Sequence, residues 1–137
     1  LKYILDTDVI SQLSKDRQNP NVLLWIDSND DDTLYLSAAT LLEIRYGIEL
    51  LDLGKKRNLL EEWLIHKLPM QFAGRIIPVE RHVADLAGRI MARAKKEGWQ
   101  LKHMDAIIGA SAMVNDMALA TLNRSHFEKL DVELVEF

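Results

Sequence analysis

The segment Tyr3-Ile4-Leu5-Asp6-Thr7-Asp8-Val9-Ile10 opens as a short apolar, β-favouring run and breaks at two carboxylates. An apolar helical pattern then resumes through Ile10 and Leu13. In an open parallel sheet, ligands bind outside the carboxyl ends of the strands. An acid where the first strand stops is therefore placed to hold a metal ion. Asp6 or Thr7 would equally serve as the cap of the helix that follows. Two more acids stand in comparable places. Asp105 falls in the first turn of a helix whose buried stripe is Met104, Ile107, Ile108, Ser111 and Ala112, with Gly109 one turn on. Alone, it reads as an acid favoured by the helix dipole, worth roughly 0.3–1 kcal/mol. Glu43, between Leu42 and Ile44, belongs to the first turn or so of the helix after strand Leu34–Ser37. Alone, it reads as a solvated glutamate. Their shared position changes that reading, because in a doubly wound sheet such places converge on one crevice.

Three carboxylates within a few ångströms repel one another and raise their own pKa values. A divalent cation relieves the repulsion. Oxygen-only ligands suit Mg²⁺ or Mn²⁺ rather than zinc, which prefers nitrogen and sulfur. A water on such an ion, its pKa lowered, can attack phosphorus, and a second ion could support the leaving oxygen.

The elements that must position these acids alternate along the chain. Strands are expected at Lys2–Leu5, Leu34–Ser37, Arg75–Val79, Ala118–Leu122 and Val132–Val135. Pro78 places the third of these at an edge or bend. Helices are expected over Val9–Ser14, from Pro20 through Ile26, over Ala39–Leu53 ended by Gly54, over Lys55–Leu68 stopped by Pro69, over Val83–Lys96 closed by Gly98, and over Met104–Val114. Strand–helix alternation implies an α/β domain with a mainly parallel sheet and helices on both faces.

A chain of 137 residues, 48% of them hydrophobic, is expected to form one domain with a real core. There is no run of ~18 apolar residues for a membrane span. The first residues read as a strand rather than an export signal, which points to the cytoplasm. There is no cysteine, so disulfides, thiolate metal sites and cysteine nucleophiles are excluded. The net charge is −4, so nucleic acid would have to meet local basic patches.

At this point the chain resembles the PIN-domain nucleases, and among them the VapC-type toxins of bacterial toxin–antitoxin pairs. The carrying segments are Leu5-Asp6-Thr7-Asp8-Val9, Ser37 to Ile44, Asp105 to Ala112, and Ala120-Thr121-Leu122-Asn123-Arg124-Ser125-His126-Phe127. The stretches from Gly47 to Lys56 and from Phe72 to Pro78 look most like the FitB-type branch. The resemblance implies a single PIN domain over residues 1–137, built as an α/β/α sandwich. It implies Mg²⁺ or Mn²⁺ held by Asp6, Glu43 and Asp105 as the catalytic acids, and hydrolysis of RNA. It also implies a homodimer, a cognate antitoxin that inhibits it in a larger complex, and operator DNA met only through that antitoxin. Asp8, Thr121 and Asn123 are expected to support the acids from behind. Asn123 stands where the family often has a fourth acid, and His126-Phe127 where it often has Asp-Phe. Asp8 stands where asparagine or serine is common. Arg45, Lys102, His103, Arg124 and His126 are the candidate RNA contacts. The basic clusters 55–57 and 93–96 read as solvated helix surface, and His66 and His82 receive no role.

Two other functions fit parts of the pattern. Asp6-Thr7-Asp8 looks like the Asp-x-Asp opening of haloacid-dehalogenase-like phosphatases, but their late acidic pair is missing. A catalytically inactive PIN scaffold that only binds a partner would be expected to lack a core acid. No Gly-x-Ser-x-Gly elbow or Gly-x-Gly-x-x-Gly loop occurs.

Overall fold

The computed structural model describes all 137 residues. Four short strands form one parallel sheet: β1 (Tyr3–Leu5), β2 (Leu34–Ser37), β3 (Ile76–Ile77) and β4 (Ala118–Ala120). Their order is β3-β2-β1-β4, so the first strand lies inside the sheet. Tyr3 pairs with both Leu34 and Ala118, and Leu36 pairs with Ile76. Side chains alternate across the pleat. Leu5, Leu34, Leu36, Ala118 and Ala120 enter one apolar cluster, while Ile4 and Leu119 enter the other.

Helices cover both faces. On the first lie α1 (Thr7–Ile10), α2 (Pro20–Asp27), α3 (Ala38–Glu49), α4 (Lys55–Glu62) and α5 (Leu68–Gln71). They contribute Val9, Ile26, Ile44, Ile48 and Leu68 to the first cluster, with Trp63 and Leu64 from the turn between α4 and α5. On the second lie α6 (Arg81–Glu97) and α7 (His103–Val114), which add Val83, Ile90 and Ile108 to Phe127 and Leu130. Two apolar layers around a parallel sheet give the expected α/β/α sandwich. No helix is long and apolar enough to cross a membrane.

Several boundaries differ from the sequence reading. The first helix is a single α turn continued as a 3₁₀ turn, Ser11–Ser14. α3 stops at Glu49, with Leu50 as its C-cap, so Gly54 ends nothing and precedes α4 instead. Pro69 does not stop the helix of the fourth segment. A π turn over Trp63–Lys67 comes first, and the Leu68 N–H bonds to the Trp63 carbonyl. This wider turn changes the hydrogen-bond register before the residue that lacks an N–H, so the chain stays helical through Pro69. The expected strand Val132–Val135 is reduced to one bridge, Leu119 with Leu134. Its backbone contacts are Leu119 N–H to the Glu133 carbonyl and Val135 N–H to the Leu119 carbonyl. β3 keeps only two residues, at the sheet edge that Pro78 suggested.

Candidate active site

Asp6 is the first residue beyond β1, and its own N–H still bonds to the Ala120 carbonyl of β4 at 2.9 Å. Its side chain is 4% exposed. Oδ1 accepts the Thr7 N–H and Oδ2 accepts the Thr121 hydroxyl, both at 2.8 Å. Burial, followed by the nearby Asp8 carboxylate and more weakly by Asp105, lifts its pKa from 3.8 to about 7. The two hydrogen bonds oppose that rise without cancelling it.

Asp8 reaches across to the loop after β4. Its Oδ2 accepts the Leu122 N–H at 3.1 Å and an Asn123 side-chain N–H at 2.8 Å. Its Oδ1 is buried and accepts nothing. Burial is again the main cause of a raised pKa, and Asp105 adds to it. Thr121 Oγ1 in turn accepts the Asn123 N–H at 3.0 Å. Asp8, Thr121 and Asn123 are thus bonded to Asp6 or to one another.

α3 starts because Ser37 caps it, accepting the Ala39 N–H at 3.1 Å. Glu43 lies in the second turn of this helix, deeper than the expected first. Its Oε1 accepts the Thr7 hydroxyl at 2.6 Å, and Thr7 Oγ1 also lies 3.2 Å from that of Thr40. Asp105 sits in the first turn of α7 and is buried. The small side chains of this helix let it pack closely. A Cβ added at Gly109 would stand 2.6 Å from Leu130 Cδ1. Asp105 Oδ2 lies 3.0 Å from His126 Nδ1.

Asp8 and Asp105 are therefore near enough to raise the pKa of Asp6, and Asp105 near enough to raise that of Asp8, while Glu43 joins them through Thr7. No three Asp, Glu or His side chains close around a single point. In kind, the donor set fits a hard divalent cation. It offers carboxylate oxygens only, with Asp6 and Asp105 buried and Asp8 and Glu43 half-buried beside them, and one oxygen, Asp8 Oδ1, has no hydrogen-bond partner.

The candidate RNA contacts divide. Lys102 and His103 are exposed at the start of α7. Arg45 is paired with Glu49 and Glu61, at 3.3 and 2.9 Å. Arg124 donates to the Val135 carbonyl at 2.7 Å, holding the last segment of the chain. His126 is taken by Asp105. In the cluster 55–57, Arg57 pairs with Glu49 as a surface residue would. Sequence reasoning gives Thr7 only a cap's role and misses Thr40. The spacing Thr40-x-x-Glu43 is the available signal, since it puts both on neighbouring turns of one helix face.

Comparison with known proteins agrees with this architecture. The family model described as PIN domain matches residues 3–133. Toxin FitB of Neisseria gonorrhoeae is 38% identical over 129 residues, 94% of this chain and 93% of that protein. VapC ribonuclease Y4jK of Sinorhizobium fredii is 34% identical over 132 residues, 96% of this chain and 94% of that protein. The crystal structure of FitAcB from Neisseria gonorrhoeae superposes with a TM-score of 0.88 at 36% identity, covering 98% of this chain and 96% of that one. By family model, sequence identity and fold alike, the chain belongs to the PIN domain family.

Proposed function

We propose that the chain is a Mg²⁺- or Mn²⁺-dependent endoribonuclease acting in the cytoplasm as the toxin of a type II toxin–antitoxin pair. The observation that carries this reading is the burial of Asp6 and Asp105 beside Asp8 at the carboxyl end of β1, with Glu43 tied to the same crevice through Thr7. The relatives named as a VapC ribonuclease and as toxin FitB support it. The full set of acids argues against an inactive scaffold, and membership of the PIN family argues against a phosphatase built on Asp6-Thr7-Asp8.

In this reading Asp6, Glu43 and Asp105 hold the ion, which when bound acts as a Lewis acid toward phosphate oxygen and water. The protein's part is to fix the acids beforehand. The Thr121 and Thr7 hydroxyls orient Asp6 and Glu43. The Leu122 N–H and Asn123 amide orient Asp8, and His126 orients Asp105. Near neutral pH the Asp6 carboxyl holds a proton part of the time and releases it as positive charge enters the crevice.

The partners follow the same logic. A cavity of about 280 Å³ runs from Thr7 and Glu43 past Ile48 to Leu60 and Trp63. It supports a site for an amphipathic antitoxin segment whose Arg or Lys reaches the acids, arginine being the better match for two carboxylate oxygens. Leu42 and Tyr46 on α3, with its C-cap Leu50, form an exposed apolar stripe at four-residue spacing, which supports homodimerisation. The antitoxin completes a larger complex and alone contacts operator DNA.

The test is cleavage of total RNA by the purified chain, with sequencing of the new ends. Cleavage is expected with Mg²⁺ or Mn²⁺, and is expected to stop with chelator and in Asp105→Asn. Undiminished cleavage in excess chelator refutes the metal mechanism. Wild-type cleavage by Asp105→Asn refutes the site.

A further inference from the structure

The chain is acidic overall, yet one part of its surface gathers cations around a cavity. α6 ends where Gly98 takes a left-handed φ of 80°, the conformation in which glycine closes a helix. The Trp99 N–H then reaches back to the Ala94 carbonyl at 3.0 Å. This closure fixes the indole beside the last turn of α6. The Arg93 guanidinium lies 5.6 Å and the Lys129 ammonium 5.5 Å from its ring centre, inside the cation–π reach of about 6 Å. Next to the ring is a cavity of about 390 Å³, walled by Met91, Lys95, Trp99, Gln100, Leu101 and Lys102. Its size falls within the roughly 300–1,000 Å³ of pockets that accept small molecules.

Packing explains the apolar part of this wall but not its polar part. Lys102 stands at the N-cap of α7 without capping it. A cation there meets the positive end of the helix dipole, so helix stability gives no reason for it. The location is informative as well. Lys102 begins the helix whose first turn carries Asp105. The cavity therefore reaches the start of the helix that carries Asp105, on the α6–α7 face and away from the Glu43–Trp63 groove on the other face of the sheet.

We infer that this cavity is a docking subsite for single-stranded RNA. One nucleotide flanking the scissile bond is held there, its phosphate against Lys95 and Lys102 beside the Trp99 ring. Cationic grooves interleaved with aromatic side chains are how single strands are bound without sequence readout. The subsite gives a polyanion an attractive approach to a crevice that otherwise repels it. The inference rests on the nuclease reading above and adds to it where the strand runs.

The experiment measures anisotropy of a labelled single-stranded oligoribonucleotide in chelator, so that binding is read without cleavage, alongside steady-state cleavage with Mg²⁺. Lys95→Glu combined with Lys102→Glu is expected to weaken binding at least about tenfold. It should also flatten the salt dependence of log K by roughly 0.7, the slope for one single-strand phosphate no longer neutralised. KM should rise while kcat stays within about twofold. Lys102→Ala alone, a surface truncation, should show a smaller loss in the same direction. Lys15→Glu and Lys55→Glu should leave both readouts unchanged. Unchanged affinity and salt slope in the double variant, with Asp105→Asn still inactive, overturns the subsite and leaves the nuclease intact. A wild-type chain that cuts no RNA overturns the nuclease reading instead. Should the double variant lose antitoxin capture while keeping RNA binding, the cavity is a protein contact and the inference fails.

Discussion

Replacing Asp6 by asparagine should make the metal-free protein more stable while destroying its activity. Lifting a carboxyl pKa from 3.8 to about 7 disfavours the charged form by about 4 kcal/mol, at about 1.4 kcal/mol per pH unit. The folded chain binds this proton more tightly than the unfolded chain. Stability is therefore unpenalised below about pH 4 and declines as pH rises through about 7. The asparagine would keep an oxygen for the Thr7 N–H but lose the acceptor for the Thr121 hydroxyl, a loss of about 1 kcal/mol. The net gain is about 2–3 kcal/mol at pH 8 and vanishes near pH 4. For a chain of this size, that corresponds to a rise in Tm of roughly 6–9 °C at pH 8. Thermal melts of both proteins in chelator at pH 4.5 and pH 8 test the reasoning. Added Mg²⁺ should then stabilise the wild type far more than the variant. An Asp6→Asn protein that melts no higher than wild type at pH 8, or whose gain is the same at both pH values, refutes the account of a buried, mutually repelling cluster.

Asn123→Asp replaces the amide that donates to Asp8 by a second carboxylate. Without metal it should lower stability by about 1 kcal/mol, and with Mg²⁺ it should tighten binding. Calorimetric titration checks both, and an unmoved Mg²⁺ affinity puts residue 123 outside the site. Gly109→Ala drives a methyl to within 2.6 Å of Leu130 Cδ1. It should destabilise by about 1–3 kcal/mol and weaken metal binding through the neighbouring His126 segment, as denaturant melts and the same titration would show.

Sequence periodicity locates nearly every element because both cores obey simple rules. Tyr3-Ile4-Leu5 and Leu34-Tyr35-Leu36 alternate between the two clusters, and α6 carries its stripe Val83, Ala87, Ile90 and Ala94 at clean helical spacing. It fails where hydrogen bonding overrides local preference. Pro69 remains helical because of the π turn ahead of it. Val132–Val135 has the composition of a strand, but only one of its residues bridges to β4. In the crevice, the acids can be read from their places after strands and at helix starts. The contact of His126 with Asp105 spans 21 residues and that of Thr7 with Glu43 spans 36. Such pairings depend on how elements distant in sequence meet, and no local pattern encodes them.

The inner position of β1 has a consequence for the order of events during translation. A ribosome that has passed Asp105 has already made Asp6, Asp8, Glu43 and Asp105 itself. Yet Asp6 still lacks the Thr121 hydroxyl and Asp8 still lacks Asn123, each 115 residues downstream. β1 also still lacks β4, its neighbour on one side. Such long-range closure comes late in folding, because the entropy of joining distant segments is lost before their contacts form. A nascent chain thus carries its acids with no assembled crevice until almost the whole domain has emerged, and interrupted translation products ending before Thr121 are expected to be inert. For the proposed nuclease, that delay separates synthesis from activity and leaves an interval in which an inhibitor made alongside it can arrive first.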